Sequence, residues 1–155
     1  MSSYLMEQLA FIRHVTLKAI EDVTEEQADQ VPTGFSNSIR WNLGHIAFVQ
    51  EYFLFHATNE ATDLPQTYAT LFGPGTKPTD WTEEPPSLDE LKKQLTDQKD
   101  RIKKTFATRL NETIEEPIQI ASLQLSTVEQ LISFSLYHEG VHTETIKRLK
   151  NFTTI

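Results

Sequence analysis

Apolar residues recur at helical spacing along four long stretches of the chain, with polar residues between them. In residues 4–23 an apolar stripe is formed by Leu5, Leu9, Ile12, Thr16, Ala19 and Val23. Stretches of the same kind cover about 38–57, about 24 residues from Ser87 onward, and a final stretch from Ser126 or Thr127 to about Arg148. Spacing of this kind predicts four amphipathic helices, each with one face directed into a core.

Residues that commonly begin helices precede these stretches. Ser36-Asn37-Ser38 offers three N-cap residues in a row, and Ser87-Leu88-Asp89-Glu90 has the form of a capping box. Thr24-Glu25-Glu26-Gln27 has a similar form and predicts a short helical turn, which Pro32 and Gly34 then end.

Residues 58–86 differ from the rest, because they contain five of the seven prolines and show no helical period. Tyr68, Leu71, Phe72 and Trp81 supply apolar anchors, so we expect a packed crossover. Residues 111–125 predict a short extended pair, since Pro117–Ile120 and Leu123–Leu125 alternate apolar and polar positions. The pattern therefore predicts one domain over residues 1–155, an all-α, antiparallel four-helix bundle with its long crossover between helices two and three.

Two histidines of the last helix, His138 and His142, are four residues apart and so share one helical face. That face also carries Leu131, Phe134, Ser135, Val141, Thr145 and Leu149, so we expect it to face inward. His45 of the second helix has Trp41, Asn42, Phe48 and Val49 three and four residues away, which predicts a buried position as well. Because bundles build metal sites from facing helices, these three histidines are candidate ligands for one divalent ion.

Gly44 and Gly140 lie beside these histidines, which suggests that the second and last helices cross closely at the glycines. Each glycine could instead relieve crowding under a neighbouring aromatic ring. The histidines could likewise be core residues satisfied by hydrogen bonds, with no metal. His14 is expected at the surface, and His56 is expected to interact with the dipole at the end of its helix.

The amino-acid composition excludes several kinds of site and partner. The chain has no cysteine, so thiolate ligands, thiol nucleophiles and disulfides are excluded. A net charge of −8 argues against nucleic acid as a partner. No signal peptide or membrane span is evident, and we expect a cytoplasmic protein.

Two segments resemble the signatures of the DinB-like (YfiT-like) metal-binding superfamily: Ser38-Ile39-Arg40-Trp41-Asn42-Leu43-Gly44-His45-Ile46, and His138-Glu139-Gly140-Val141-His142 about 90 residues later. The resemblance implies a four-helix bundle with a long connection between helices two and three. It also implies a divalent metal held by His45, His138 and His142, and a homodimer. Nickel, zinc or iron would suit three imidazoles.

The superfamily includes thiol-dependent S-transferases, a mycothiol-dependent isomerase and the iron-binding domain of sulfoxide synthases. We expect no second domain of the kind that the synthases need, so their oxidative activity is not carried over. An enzyme would use the metal as a Lewis acid to activate water or a small-molecule thiol that attacks an electrophilic substrate. This predicts a hydrolase or S-transferase.

Six further residues are candidates for roles around the metal. Asn42, Gln50, Tyr52 and Tyr137 could orient substrate or ligands, and Glu51 and Glu144 could act as a general base or support the ligands. Each could equally be structural. The alternative function is a non-catalytic metal-containing stress or interaction module, in which the metal braces the bundle.

Overall fold

Hydroxyl side chains begin the four long helices of this protein. The computed structural model describes residues 3–155. Ser3 accepts a hydrogen bond from the backbone N–H of Met6, and Ser38 accepts one from Trp41. Ser87 and Glu90 form the reciprocal pair expected of a capping box. Thr127 begins the last helix by accepting from Gln130. The start signals predicted near Ser38, Ser87 and Thr127 are therefore used, whereas the cap at Ser3 was not predicted.

The chain forms six helices and one β-hairpin within the described residues. Helices α1 to α6 comprise Tyr4–Ala19, Glu25–Asp29, Ile39–Glu51, Thr67–Phe72, Leu88–Phe106 and Val128–Phe152. Strands β1 and β2 comprise Thr113–Ile120 and Leu123–Thr127. A π-helical segment, Tyr52–His56, continues α3 directly, and a 3-10 turn occupies Pro78–Asp80. Helix α1 ends earlier than its apolar stripe suggested, and α6 continues past Arg148.

The protein is mostly helical, and the hairpin is its only sheet among residues 3–155. Strands β1 and β2 pair antiparallel, with Ile118 opposite Leu125 and an irregular register between Thr113 and Ile118. An all-α description therefore omits a small β element, although the alternating pattern at residues 117–125 had indicated it. Ile114 and Leu125 are buried, so the hairpin closes one end of the core.

The four long helices pack against one another around an interior with two apolar clusters. Helix α1 contacts α5 and α6, and α3 also contacts α5 and α6. Leu43, Leu91 and Ile146 lie in one buried cluster, and Leu9, Phe106 and Leu131 lie in a second. Among the described residues, no helix has both the length and the apolar character to span a bilayer.

The crossover of residues 58–86 is packed onto the helices, as its aromatic anchors predicted. Tyr68, Leu71 and Phe72 are buried on α4, a short helix that the sequence pattern did not indicate. The indole N–H of Trp81 donates to the Leu71 carbonyl at 2.8 Å. Arg40 ties the end of the crossover to α3, because its guanidinium donates to the Pro86 carbonyl at 2.8 Å.

The two glycines near the histidines have different surroundings from those expected of a close α3–α6 crossing. A Cβ atom on Gly44 would lie 2.4 Å from ring atoms of Phe72, so the missing side chain admits α4 and not α6. A Cβ atom on Gly140 would meet nothing within 4 Å. Helices α3 and α6 do contact each other, but the prediction that the two glycines allow their close approach is wrong. The alternative, a glycine under an aromatic ring, describes Gly44.

Candidate metal centre

His45 is oriented by its surroundings on α3 and α4. Its Nδ1–H donates to the Phe72 carbonyl at 2.7 Å, which leaves the lone pair on Nε2. The indole of Trp41 stacks on the imidazole, with centroids 4.4 Å apart and planes 14° from parallel. Trp41 is itself held by a 2.9 Å hydrogen bond to Thr76 of the crossover. The close approach of Phe72 to Gly44 thus places a carbonyl where it fixes the neighbouring histidine.

His142 is oriented in the same way by a side chain. Its Nδ1–H donates to Oδ1 of Asn42 at 2.8 Å, so its lone pair is also on Nε2. The Asn42 amide is fixed in turn, because its Nδ2 donates to the Ser38 carbonyl at 2.8 Å. Proteins usually orient a metal-ligating histidine by a hydrogen bond from the ring nitrogen that does not bind the metal.

The three imidazoles converge on one point between α3 and α6. The Nε2 atoms of His45 and His138 are 3.2 Å apart, and His45, His138 and His142 each offer one nitrogen within 4.8 Å of the others. Zn–N bonds of about 2.0–2.1 Å would hold two ligand nitrogens roughly 3.3 Å apart at a tetrahedral centre. The donor set and its spacing therefore fit a divalent transition metal ion.

Burial keeps these imidazoles neutral. Burial lowers the pKa of His45 below its ordinary value, and the hydrogen bond to Phe72 only partly opposes this. Burial, together with His142 and His45, lowers the pKa of His138 to about 3. Burial and His45 lower the pKa of His142 to about 4. Because a metal ligand must be deprotonated, neutral imidazoles at pH 7 present lone pairs that are ready to bind.

The cluster is partly accessible to solvent. His45 is buried, whereas His138 and His142 are partly exposed on α6. A metal bound here would have protein ligands from two helices and free positions facing solvent. Sites with three protein ligands and an open position are typical of reactive metals, because structural sites usually have four protein ligands.

The comparison with known families agrees with this geometry. A model of the DinB superfamily matches residues 8–146, which include all three histidines and most of the four long helices. The chain belongs to the DinB superfamily. A search of curated proteins finds no match.

Two of the candidate polar residues of this DinB-superfamily chain have partners away from the histidines. The Glu51 carboxylate accepts from Arg101 at 2.7 and 3.0 Å and from Gln98 at 2.8 Å. Gln50 hydrogen-bonds to Ser135 at 3.2 Å and to Arg13. Both side chains are buried among helices, and their polar atoms are satisfied there.

The other candidates divide between the site and the surface. Asn42 contacts His142 directly. Tyr52 is 46% exposed and stacks on His56, and Tyr137 is 68% exposed. The Glu144 carboxylate is exposed beside Lys147, at 3.9 Å. His14 and His56 lie outside the cluster at exposed positions, as expected for His14.

The inward face of α6 differs from the expected one at one position. Leu131, Ser135 and Leu149 are buried as predicted, but Val141 is 47% exposed, so its assignment to that face is wrong. The buried positions next to the histidines are Glu139 and Thr143, which place His138 and His142 at the edge of the core. The hydrogen bond from His45 to the Phe72 carbonyl was not predicted. Gly44 indicated a close neighbour at this point, but that neighbour was expected to be the last helix and is α4.

Proposed function

We propose that this DinB-superfamily protein binds one divalent metal ion through His45, His138 and His142. The observation that carries the proposal is the convergence of three imidazole nitrogens within 4.8 Å. Two of the three rings are oriented by hydrogen bonds from Nδ1, that of His45 to the Phe72 carbonyl and that of His142 to Asn42. Nickel, zinc and iron all suit neutral imidazole ligands.

The packing of the long helices supports our interpretation of the fold as an antiparallel four-helix bundle. Helices α1, α3, α5 and α6 would be its members, and residues 58–86 would be its long crossover. The contacts of α1 and α3 with both α5 and α6 are those expected of such a bundle. In this arrangement the metal lies between α3 and α6, near the point where the crossover packs on α3.

We further propose that the protein is a metal-dependent enzyme of the thiol S-transferase or hydrolase type. The ion would supply Lewis-acid activation of a thiol cosubstrate or of water. The partial exposure of His138 and His142 supports access by a small molecule. Since the Glu51 charge is already matched by Arg101, Tyr137 and Glu144 are the better candidates for contacts with the substrate.

A non-catalytic interaction module is the second candidate, and exposed aromatic side chains on neighbouring helices favour it. Tyr4 and Phe11 of α1 are 74% and 68% exposed, and Tyr137 of α6 is 68% exposed. Helices α1 and α6 pack on each other, so these rings are carried by two neighbouring helices. A homodimer formed through the exposed rings of these helices would cover them. Sedimentation at several concentrations would test the homodimer.

Metal analysis of protein purified without a histidine tag tests the first proposal. We expect about one equivalent of metal in the wild type, and loss of metal in His138→Ala without loss of the helical fold. His14→Ala is the matched control and should keep the metal. If the variant lacking all three histidines retained stoichiometric metal, the ligand set would be wrong.

Activity distinguishes the two functions. The metal-loaded protein is incubated with an electrophile and a panel of low-molecular-weight thiols, and conjugates are detected by mass spectrometry. An enzyme should form a conjugate with at least one thiol, and His45→Ala should not. Absence of conjugates across the panel, together with no hydrolysis of ester or amide substrates, would favour the interaction module.

A further inference from the structure

A buried ion pair joins α1 to α6 at Glu139, the residue that follows His138 in the chain. Arg13 and Glu139 are each 1% exposed. The guanidinium donates from Nε to Oε1 at 2.9 Å and from Nη2 to Oε2 at 3.1 Å, which is a two-pronged contact. Such paired hydrogen bonds fix the relative orientation of the two groups as well as their distance.

The same guanidinium reaches the other two long helices. Arg13 donates to the Leu95 carbonyl of α5 and to the Gln50 side chain of α3. Gln50 continues the network, because its amide donates to the Ser135 hydroxyl of α6 at 3.2 Å. One side chain of α1 therefore connects all four long helices through directional bonds.

The residues of α6 in this network alternate with its histidines along the helix. Ser135, Glu139 and Thr143 recur every four residues, and the last two each directly follow a histidine of the cluster. Thr16 of α1 donates to Glu139 at 2.8 Å and shares a 2.7 Å hydrogen bond with Thr143. A rotation or one-residue shift of α6 would break several of these buried bonds and would move His138 and His142 away from His45.

Stability alone does not account for this pair. Removing two charges from water costs free energy that their attraction repays only in part, so a buried ion pair can often be replaced by apolar residues without loss of stability. The best attested use of a buried polar contact in helical proteins is to select one register among several that apolar packing would permit.

We propose that Arg13 and Glu139 are positioning residues for the histidine cluster, because they fix the register and rotation of α6 against the other three long helices. As regards metal binding, the inference rests on the function proposed above. The geometry of the imidazoles themselves can be tested without metal.

The test replaces both members of the pair, Arg13→Met with Glu139→Leu, so that no single buried charge is left. Thr16 keeps its bond to Thr143 in this variant. Zinc affinity is measured by competition with a chromophoric chelator, and stability by urea unfolding. We expect a folded protein whose zinc affinity is about 10- to 100-fold weaker, the range typical when groups supporting metal ligands are lost.

A second readout uses the metal-free protein. The ring centroids of His45 and His138 are 5.0 Å apart, so their protons should give nuclear Overhauser effects in the wild type. These effects should weaken or vanish in the double variant. The matched control is Asp22→Asn with Lys150→Gln, which removes an exposed 2.7 Å ion pair that also links α6 to the chain near α1. It should leave both readouts unchanged.

The outcomes separate the two proposals. A folded double variant with wild-type zinc affinity and wild-type ring contacts overturns the positioning role. A wild type that binds no zinc, nickel or iron overturns the proposed function, and the ring contacts still decide the positioning role. If the double variant does not fold, Arg13→Lys keeps the positive charge at this position and removes the two-pronged contact with Glu139. Affinity or ring contacts altered at least threefold would support the inference, and unchanged values would overturn it.

Discussion

At the scale of single residues, hydrogen bonds from the Nδ1 atoms of His45 and His142 orient two of the three imidazoles. His45 uses a backbone carbonyl, that of Phe72, whereas His142 uses the side chain of Asn42. A backbone acceptor survives side-chain substitution, but a side-chain acceptor does not. Asn42 is therefore the point at which ligand orientation can be changed without touching a ligand.

Replacing Asn42 with Ala should weaken zinc binding by about tenfold, because the Nδ1–H of His142 would lose its acceptor and the ring would be free to turn. Asn42→Asp keeps an oxygen at this position and should bind zinc close to wild-type strength. Chelator competition measures both variants. Asn111→Ala, at an exposed position, is the control. Wild-type affinity in Asn42→Ala would show that Asn42 does not orient the ligand.

At the scale of elements, Gly44 and Gly140 show how one residue type serves different purposes. Phe72 of α4 occupies the space in which a side chain at Gly44 would lie, and this contact brings the Phe72 carbonyl to His45. Gly140 has open space around its Cα atom and is partly exposed on α6. We therefore predict opposite effects on stability when each of the two glycines is replaced by alanine.

Gly44→Ala should lower the free energy of unfolding by about 1–3 kcal/mol, because the new methyl group would lie 2.4 Å from the Phe72 ring and force α4 away. Gly140→Ala should raise it by about 0.5–1 kcal/mol, since alanine favours the helix and meets no neighbour. Urea unfolding of both variants measures the difference. Equal effects at the two positions would contradict the packing of α4 on Gly44.

The long helices could be predicted from the chain because each depends on local information. Apolar spacing and the caps at Ser38, Ser87 and Thr127 lie within the elements that they define. Helix α4 is only Thr67–Phe72, too short for a periodic pattern, and it forms because Tyr68 and Phe72 find a surface on α3. That surface exists only in the folded protein.

At the scale of the whole molecule, the contacts that matter most join distant parts of the sequence. Arg13 and Glu139 are 126 residues apart, and each alone in a helical pattern suggests an exposed charge. His45 and His138 are 93 residues apart, and their meeting was expected from facing histidines and from the family resemblance. A charged pair has no such signature, so the Arg13–Glu139 contact could be found only in three dimensions.

The apolar clusters of the core do not include the three histidines, and this leads to the last prediction. Two apolar clusters and the Arg13–Glu139 network join the helices independently of the histidines. Chelation should therefore leave the helical circular dichroism unchanged. Metal in 100-fold excess over its dissociation constant stabilises by about 2.7 kcal/mol, so its removal should lower the melting temperature by roughly 5–10 °C in a chain of this size. His138→Ala should show no such shift on chelation. Unfolding of the wild type at room temperature on adding the chelator would mean instead that the ion braces the helices.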